Sequence, residues 1–71
     1  MSSKTLQNRV IKHLTAYGYA NRLTDLAWDV AGEYGYVTDA RAYNYACAVL
    51  DLIDAGVIVD DGYGHDLQLA K

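Results

Sequence analysis

The 71-residue sequence has no proline, no phenylalanine, one cysteine and one glutamate, and each shortage removes a class of structure or chemistry. The single Cys47 excludes an internal disulfide, and without a Cys-x-x-Cys companion it excludes a thiol-rich zinc site. Set between Ala46 and Ala48, it reads as a small packed residue rather than a nucleophile. Because Glu33 is the only glutamate, no acidic series ends in Glu as a calcium loop requires. His13 and His65 belong to different elements and form no metal-ligand spacing. No proline-rich or low-complexity linker interrupts the chain. No uncharged run exceeds Ala42 to Leu50, which is too short to cross a bilayer. The opening Met1-Ser2-Ser3-Lys4 is not followed by the apolar block of a signal peptide. These features point to one soluble domain in a reducing cytoplasm, since a chain this short has no room for two cores.

Catalytic patterns are missing as well. Gly62-Tyr63-Gly64 is only superficially similar to a phosphate-cradling loop, because no Gly-Lys-Ser/Thr follows it and no helix is expected after it. Asp60-Asp61 lies in a turn without the enclosing pocket that raises a carboxyl pKa for acid-base work. The expectation is a non-enzymatic binding domain with no cofactor, no metal, no membrane association and no small-molecule substrate.

What the chain does have is apolar content, 52% of residues, and a net charge of −3 that is unevenly laid out. Residues 1–24 hold Lys4, Arg9, Lys12 and Arg22 with no acid, whereas residues 46–71 hold Asp51, Asp54, Asp60, Asp61 and Asp66 against Lys71. A cationic end can face phosphates even when the whole molecule is acidic.

The periodicity gives three helices and a hairpin. Leu6, Val10, Ile11, Leu14 and Tyr17 recur at helical spacing and predict a helix over about 3–17, stopped by Gly18. Asn21 offers an N-cap for a second helix over about 22–33, with Leu23, Leu26, Ala27, Val30 and Ala31 inward. Thr38 caps a third helix over about 39–55, which turns Ala42, Tyr45, Ala46, Val49, Leu52 and Ile53 inward and ends at Gly56. Beyond Gly56 the period falls to two, and Val57–Asp60 and Asp66–Leu69 around Asp61-Gly62 predict a β-hairpin. The predicted class is α+β, mainly α: a three-helix helix-turn-helix core followed by a C-terminal β-hairpin wing.

Asp25-Leu26-Ala27-x-x-Val30, followed by Val49-x-x-Leu52-x-x-x-Gly56-x-Ile58 leading into the hairpin, resembles the winged helix-turn-helix family from Leu6 to Leu69. The resemblance implies a third helix entering the major groove, a wing touching the DNA backbone and a homodimeric transcriptional regulator. On that footing Arg41, Tyr43 and Asn44 address the groove while Lys12 and Arg22 hold phosphates.

The residues also support a protein partner on the same scaffold. Carboxylates Asp60, Asp61 and Asp66 flank the wing tip, where phosphate contacts would call for Lys, Arg or backbone amides. Seven tyrosines stand where phenylalanines are lacking. Tyr17, Tyr34 and Tyr45 fall on inward stripes, whereas Tyr43 and Tyr63 fall outside them. Trp28 sits about 130 degrees from the middle of its helix's apolar stripe, either folded onto a neighbour or free for contact. Trp28, Tyr43, Asp60, Asp61, Tyr63 and Asp66 are therefore the protein-contact residues, since large aromatics dominate interface hot spots. In size and acidity the chain looks like the accessory and inhibitor proteins of phages, which act on a host protein.

Overall fold

The computed structural model describes residues 2–70. Ser3 opens α1 (Lys4–Tyr17) from an extended conformation, its hydroxyl accepting the Leu6 amide at 3.2 Å. This satisfies one of the amides that the first helical turn leaves without a partner. Gly18 closes the helix at φ 82, donating its amide to the Leu14 carbonyl, in a left-handed conformation that costs a residue with a Cβ about 1 kcal/mol or more.

The next three residues overturn an expectation. Asn21 does not cap α2; it lies within a strand, β1 (Ala20–Arg22), that the sequence pattern did not reveal. Arg22 occupies the N-cap position of α2 (Leu23–Glu33) without a side-chain hydrogen bond. In place of a side-chain cap, the Gly64 carbonyl accepts the Leu23 amide at 2.8 Å. Extended backbone at 20–22 pairs with the C-terminal strand, so the distant hairpin supplies the cap that a neighbouring side chain was expected to give.

Thr38 caps α3 (Asp39–Asp54) as anticipated, its hydroxyl accepting the Arg41 amide at 3.1 Å. The helix ends in a Schellman arrangement: the Val57 amide reaches Leu52 and the Gly56 amide reaches Ile53, with Gly56 at φ 79. The hairpin is β2 (Ile58–Val59) and β3 (His65–Leu69), shorter in its first strand than the apolar run suggested. β3 is the central strand, antiparallel to β1 with Ala20 opposite Leu67 and to β2 with Ile58 opposite Leu69.

Helices and sheet share one core built from Val10, Leu14, Leu26, Val30, Tyr45, Val49, Leu52, Ile58 and Leu67. Each large side chain so buried contributes roughly 1.5–3 kcal/mol relative to exposure. Of the tyrosines expected inside, only Tyr45 is fully buried. Tyr34 is half-buried, and Tyr17, at the last position of α1, is exposed, its ring 4.6 Å from that of His13 between centroids. No helix among the described residues is long and apolar enough to cross a membrane.

Candidate interaction face

Arg41, expected to address a DNA groove, is instead spent on the helical core, where Arg9 packs as well. Arg41 turns back under the α2–α3 connection, where its guanidinium donates to the carbonyls of Ala31 at 3.1 Å, Tyr34 at 3.2 Å and Tyr36. These are carbonyls at and just beyond the C-terminus of α2, where the helical ladder runs out and the helix dipole is negative, and that of Ala31 also accepts the Tyr34 amide at 3.3 Å. A planar cationic fork suits them better than any neutral donor. Arg41 therefore closes a loop and leaves the outer surface of α3 without its only cation. Arg9 is likewise internal, stacked 4.4 Å over the Tyr34 ring and donating to the Tyr45 hydroxyl at 3.0 Å.

With Arg41 withdrawn, α3 presents two adjacent stripes. Ala42, Tyr45, Ala48, Val49 and Leu52 are buried. Beside them Tyr43, Ala46, Leu50 and Ile53, at spacings of three, four and three, stay exposed or half-buried. Tyr43 is 69% exposed and Leu50 51%. Sequence reasoning missed Leu50; the same three-four spacing, followed one residue beyond the inward stripe, is the signal that finds it.

Two hollows flank this second stripe and meet at Thr24. One, of about 250 Å³, is lined by Trp28 and Ala27 of α2 with Tyr43, Ala46 and Asp39 of α3. The other, of about 630 Å³, lies between α3 and the hairpin, lined by Leu50, Ile53, Leu23, Arg22, Asp60 and Tyr63. The fold thus sets Trp28 and Tyr43 around one hollow and Asp60 and Tyr63 around the next, residues that the sequence placed in the second helix, the third helix and the hairpin. Trp28 is 44% exposed and Tyr63 85%, so neither ring is folded away.

The carboxylates of the hairpin have a structural task first. Asp61 accepts the amides of Tyr63 at 2.8 Å and His65 at 3.1 Å, and Asp60 accepts that of Gly64 at 2.9 Å. These bonds shape the loop that presents Tyr63. Hydrogen bonding from the Tyr63 amide, opposed by partial desolvation and aided by the His65 amide and charge, holds the Asp61 carboxyl below the usual aspartate range. Asp66 takes φ 56 and accepts from the Tyr19 hydroxyl at 3.3 Å, on the far side of β3. Desolvation, with the charge of Asp66 and this bond, holds the Tyr19 hydroxyl above its ordinary value.

The remaining residues named from the sequence scatter. Lys12 is exposed on α1 and lines neither hollow. Asn44 is exposed but borders a different depression, with Ser2, Leu6, Cys47 and Asp51. There Asp51 accepts the amide and hydroxyl of Ser2 at 2.7 and 2.6 Å, and these bonds hold its carboxyl low. Of the five residues assigned to DNA, Tyr43 and Arg22 border the face. Comparison with protein-family models, curated proteins and solved structures returns no match to this chain.

Proposed function

We propose that this domain binds another protein through the face formed by α2, α3 and the hairpin loop, and that the partner offers apolar side chains within a basic surface. The observation that carries this is the fate of Arg41. Once its guanidinium closes the α2–α3 loop, the outer surface of α3 carries Tyr43, Leu50 and half-buried Ile53 between Asp39 and Asp54, with no free cation. Exposed rings and a leucine beside hollows are the anchors of an interface, and carboxylates around them favour a cationic partner and disfavour phosphates. Two copies meeting through this face would set acid against acid, so homodimerisation here is opposed by the charges that attract a basic partner.

Duplex DNA is the alternative partner. In its favour stand the resemblance to winged helix-turn-helix domains and the exposed Tyr43 and Asn44 early on α3. The cations left for it are few. Among the described residues, Lys4, Lys12 and Arg22 are exposed and free of ion pairs, and only Arg22 lies at the face.

Photocrosslinking separates these cases. With a photoreactive residue at position 43 or 63, the same basic protein is trapped from both sites, it is not trapped from exposed Thr15 on α1, and it is lost when Leu50 is changed to Ser. Adducts to nucleic acid, to a second copy of the chain, or equally from all three positions contradict the proposal.

A further inference from the structure

Asp61 is the one aspartate of the chain that precedes a glycine, and no asparagine does so. That pairing carries a covalent chemistry of its own. The Gly62 amide nitrogen can attack the carboxyl carbon of Asp61, and with no Cβ on Gly62 neither the approach nor the backbone rotation it needs is hindered. Gly62 is exposed at φ 94 with open space where a Cβ would lie, and among the described residues no hydrogen bond engages its amide. The new carbon–nitrogen bond closes an imide ring, and the carboxyl hydroxyl leaves with the amide proton as water. Water then opens the ring at either carbonyl. One opening restores aspartate. The other leaves isoaspartate, in which the main chain runs through the side-chain carbons and is one atom longer, while the free carboxylate hangs from Cα. Water lost in the first step is regained in the second, and nothing is oxidised.

The folded loop works against the first step. A carboxylate has no hydroxyl to lose, so the neutral acid is the reacting form, and the loop stabilises the ion: Oδ1 accepts the Tyr63 and His65 amides, and Oδ2 lies 3.5 Å from His65 Nδ1. The same loop reaches α2. Asp60 holds the Gly64 amide, and the Gly64 carbonyl accepts the Leu23 amide that opens that helix. In isoaspartate the added main-chain atom and the displaced carboxylate remove the acceptor of the Tyr63 and His65 amides, and with it the path of the chain that places Gly64. We propose that Asp61–Gly62 is a modification site, kept as aspartate by the folded loop, whose conversion to isoaspartate unties the hairpin from the N-terminus of α2. Release of Tyr63 from the α3 face follows, and that consequence alone rests on the function proposed above.

Incubation of the intact protein at neutral pH in water enriched in heavy oxygen tests this, beside a sample unfolded in urea. Peptide mass spectrometry locates the label, and an isoaspartyl methyltransferase measures the product. In urea, label and isoaspartate are expected at Asp61; in the folded protein they accumulate about tenfold more slowly or less, because the loop must open first. In the isoaspartyl form, separated by chromatography, hydrogen exchange at the Leu23 amide is about tenfold faster, the scale of one lost hydrogen bond, while the Arg41 amide capped by Thr38 exchanges as before. No label at Asp61 in urea, equal rates in the folded and unfolded samples, or a change at Leu23 no greater than that at Arg41 overturns the proposal. None of these readouts involves a partner, so failure of the crosslinking experiment leaves them unaffected.

Discussion

Replacing Arg41 by alanine removes three charge-assisted hydrogen bonds from the C-terminal end of α2, and the size of the loss follows from where they lie. The bonds to Ala31 and Tyr34 are partly shielded and that to Tyr36 is exposed. A hydrogen bond to a charged group contributes about 1.5–3 kcal/mol when shielded, and roughly half that where water competes. Counting only the two partly shielded bonds, at the reduced value because water still reaches them, gives about 1.5–3 kcal/mol. A chain of this length is stable by about 4–10 kcal/mol in total, and at about 4–8 °C per kcal/mol Arg41→Ala lowers the melting temperature by about 6–24 °C. Arg41→Lys recovers less than half of the loss, because an ammonium lacks the planar fork that reaches several carbonyls together. Urea unfolding followed by circular dichroism measures both variants. If Arg41→Ala unfolds within about 0.5 kcal/mol of the unmodified protein, the guanidinium is not closing the loop, and its place on a binding surface is restored.

Three further outcomes follow from the same contacts. Tyr45→Phe removes the acceptor for Arg9 and costs about 1 kcal/mol in urea unfolding, and combining it with Arg9→Ala costs less than the two separately. Gly18→Ala, at φ 82 with open space around the added Cβ, costs about 1 kcal/mol through backbone conformation alone, and a loss near zero refutes that cause. Asp51 and Asp61 have folded pKa values below the ordinary 3.8, so the stability they confer is present above that value and lost as pH falls through the lowered ones. Asp51→Asn with Asp61→Asn therefore flattens the acid limb of the stability profile, while an unchanged limb excludes these carboxylates as its source.

The helices were legible because their signals are local: Gly18, Thr38 and Gly56 lie where capping chemistry places them, and the apolar spacing finds Val10, Leu26 and Val49, whereas Ser3, counted within the first helix, caps it. β1 was not legible, because three residues carry no period and owe their extended form to pairing with His65 and Leu67 more than forty residues away. Asn21 failed as a cap for the same reason. Arg41 was misplaced for a related one. Helical projection puts it at the margin of α3, and nothing in the local sequence reveals that α2 ends beneath it with carbonyls within its reach. Tyr43 and Tyr63 were read as lying off the inward stripes and Trp28 was left open, but their meeting with Leu50 around Thr24 depends on how α2, α3 and the loop pack.

Titration of the protein against fluorescently labelled random-sequence duplex DNA at low salt tests the assignment of the α3 face most directly. Phosphate contacts give a sequence-independent affinity that is strongest there and falls steeply as salt is added. With Arg41 folded inward and Asp39 and Asp54 flanking the exposed stripe, no saturable binding is expected at micromolar protein. Saturable binding that weakens with salt, and is lost on changing Lys12 and Arg22 to alanine, contradicts the assignment.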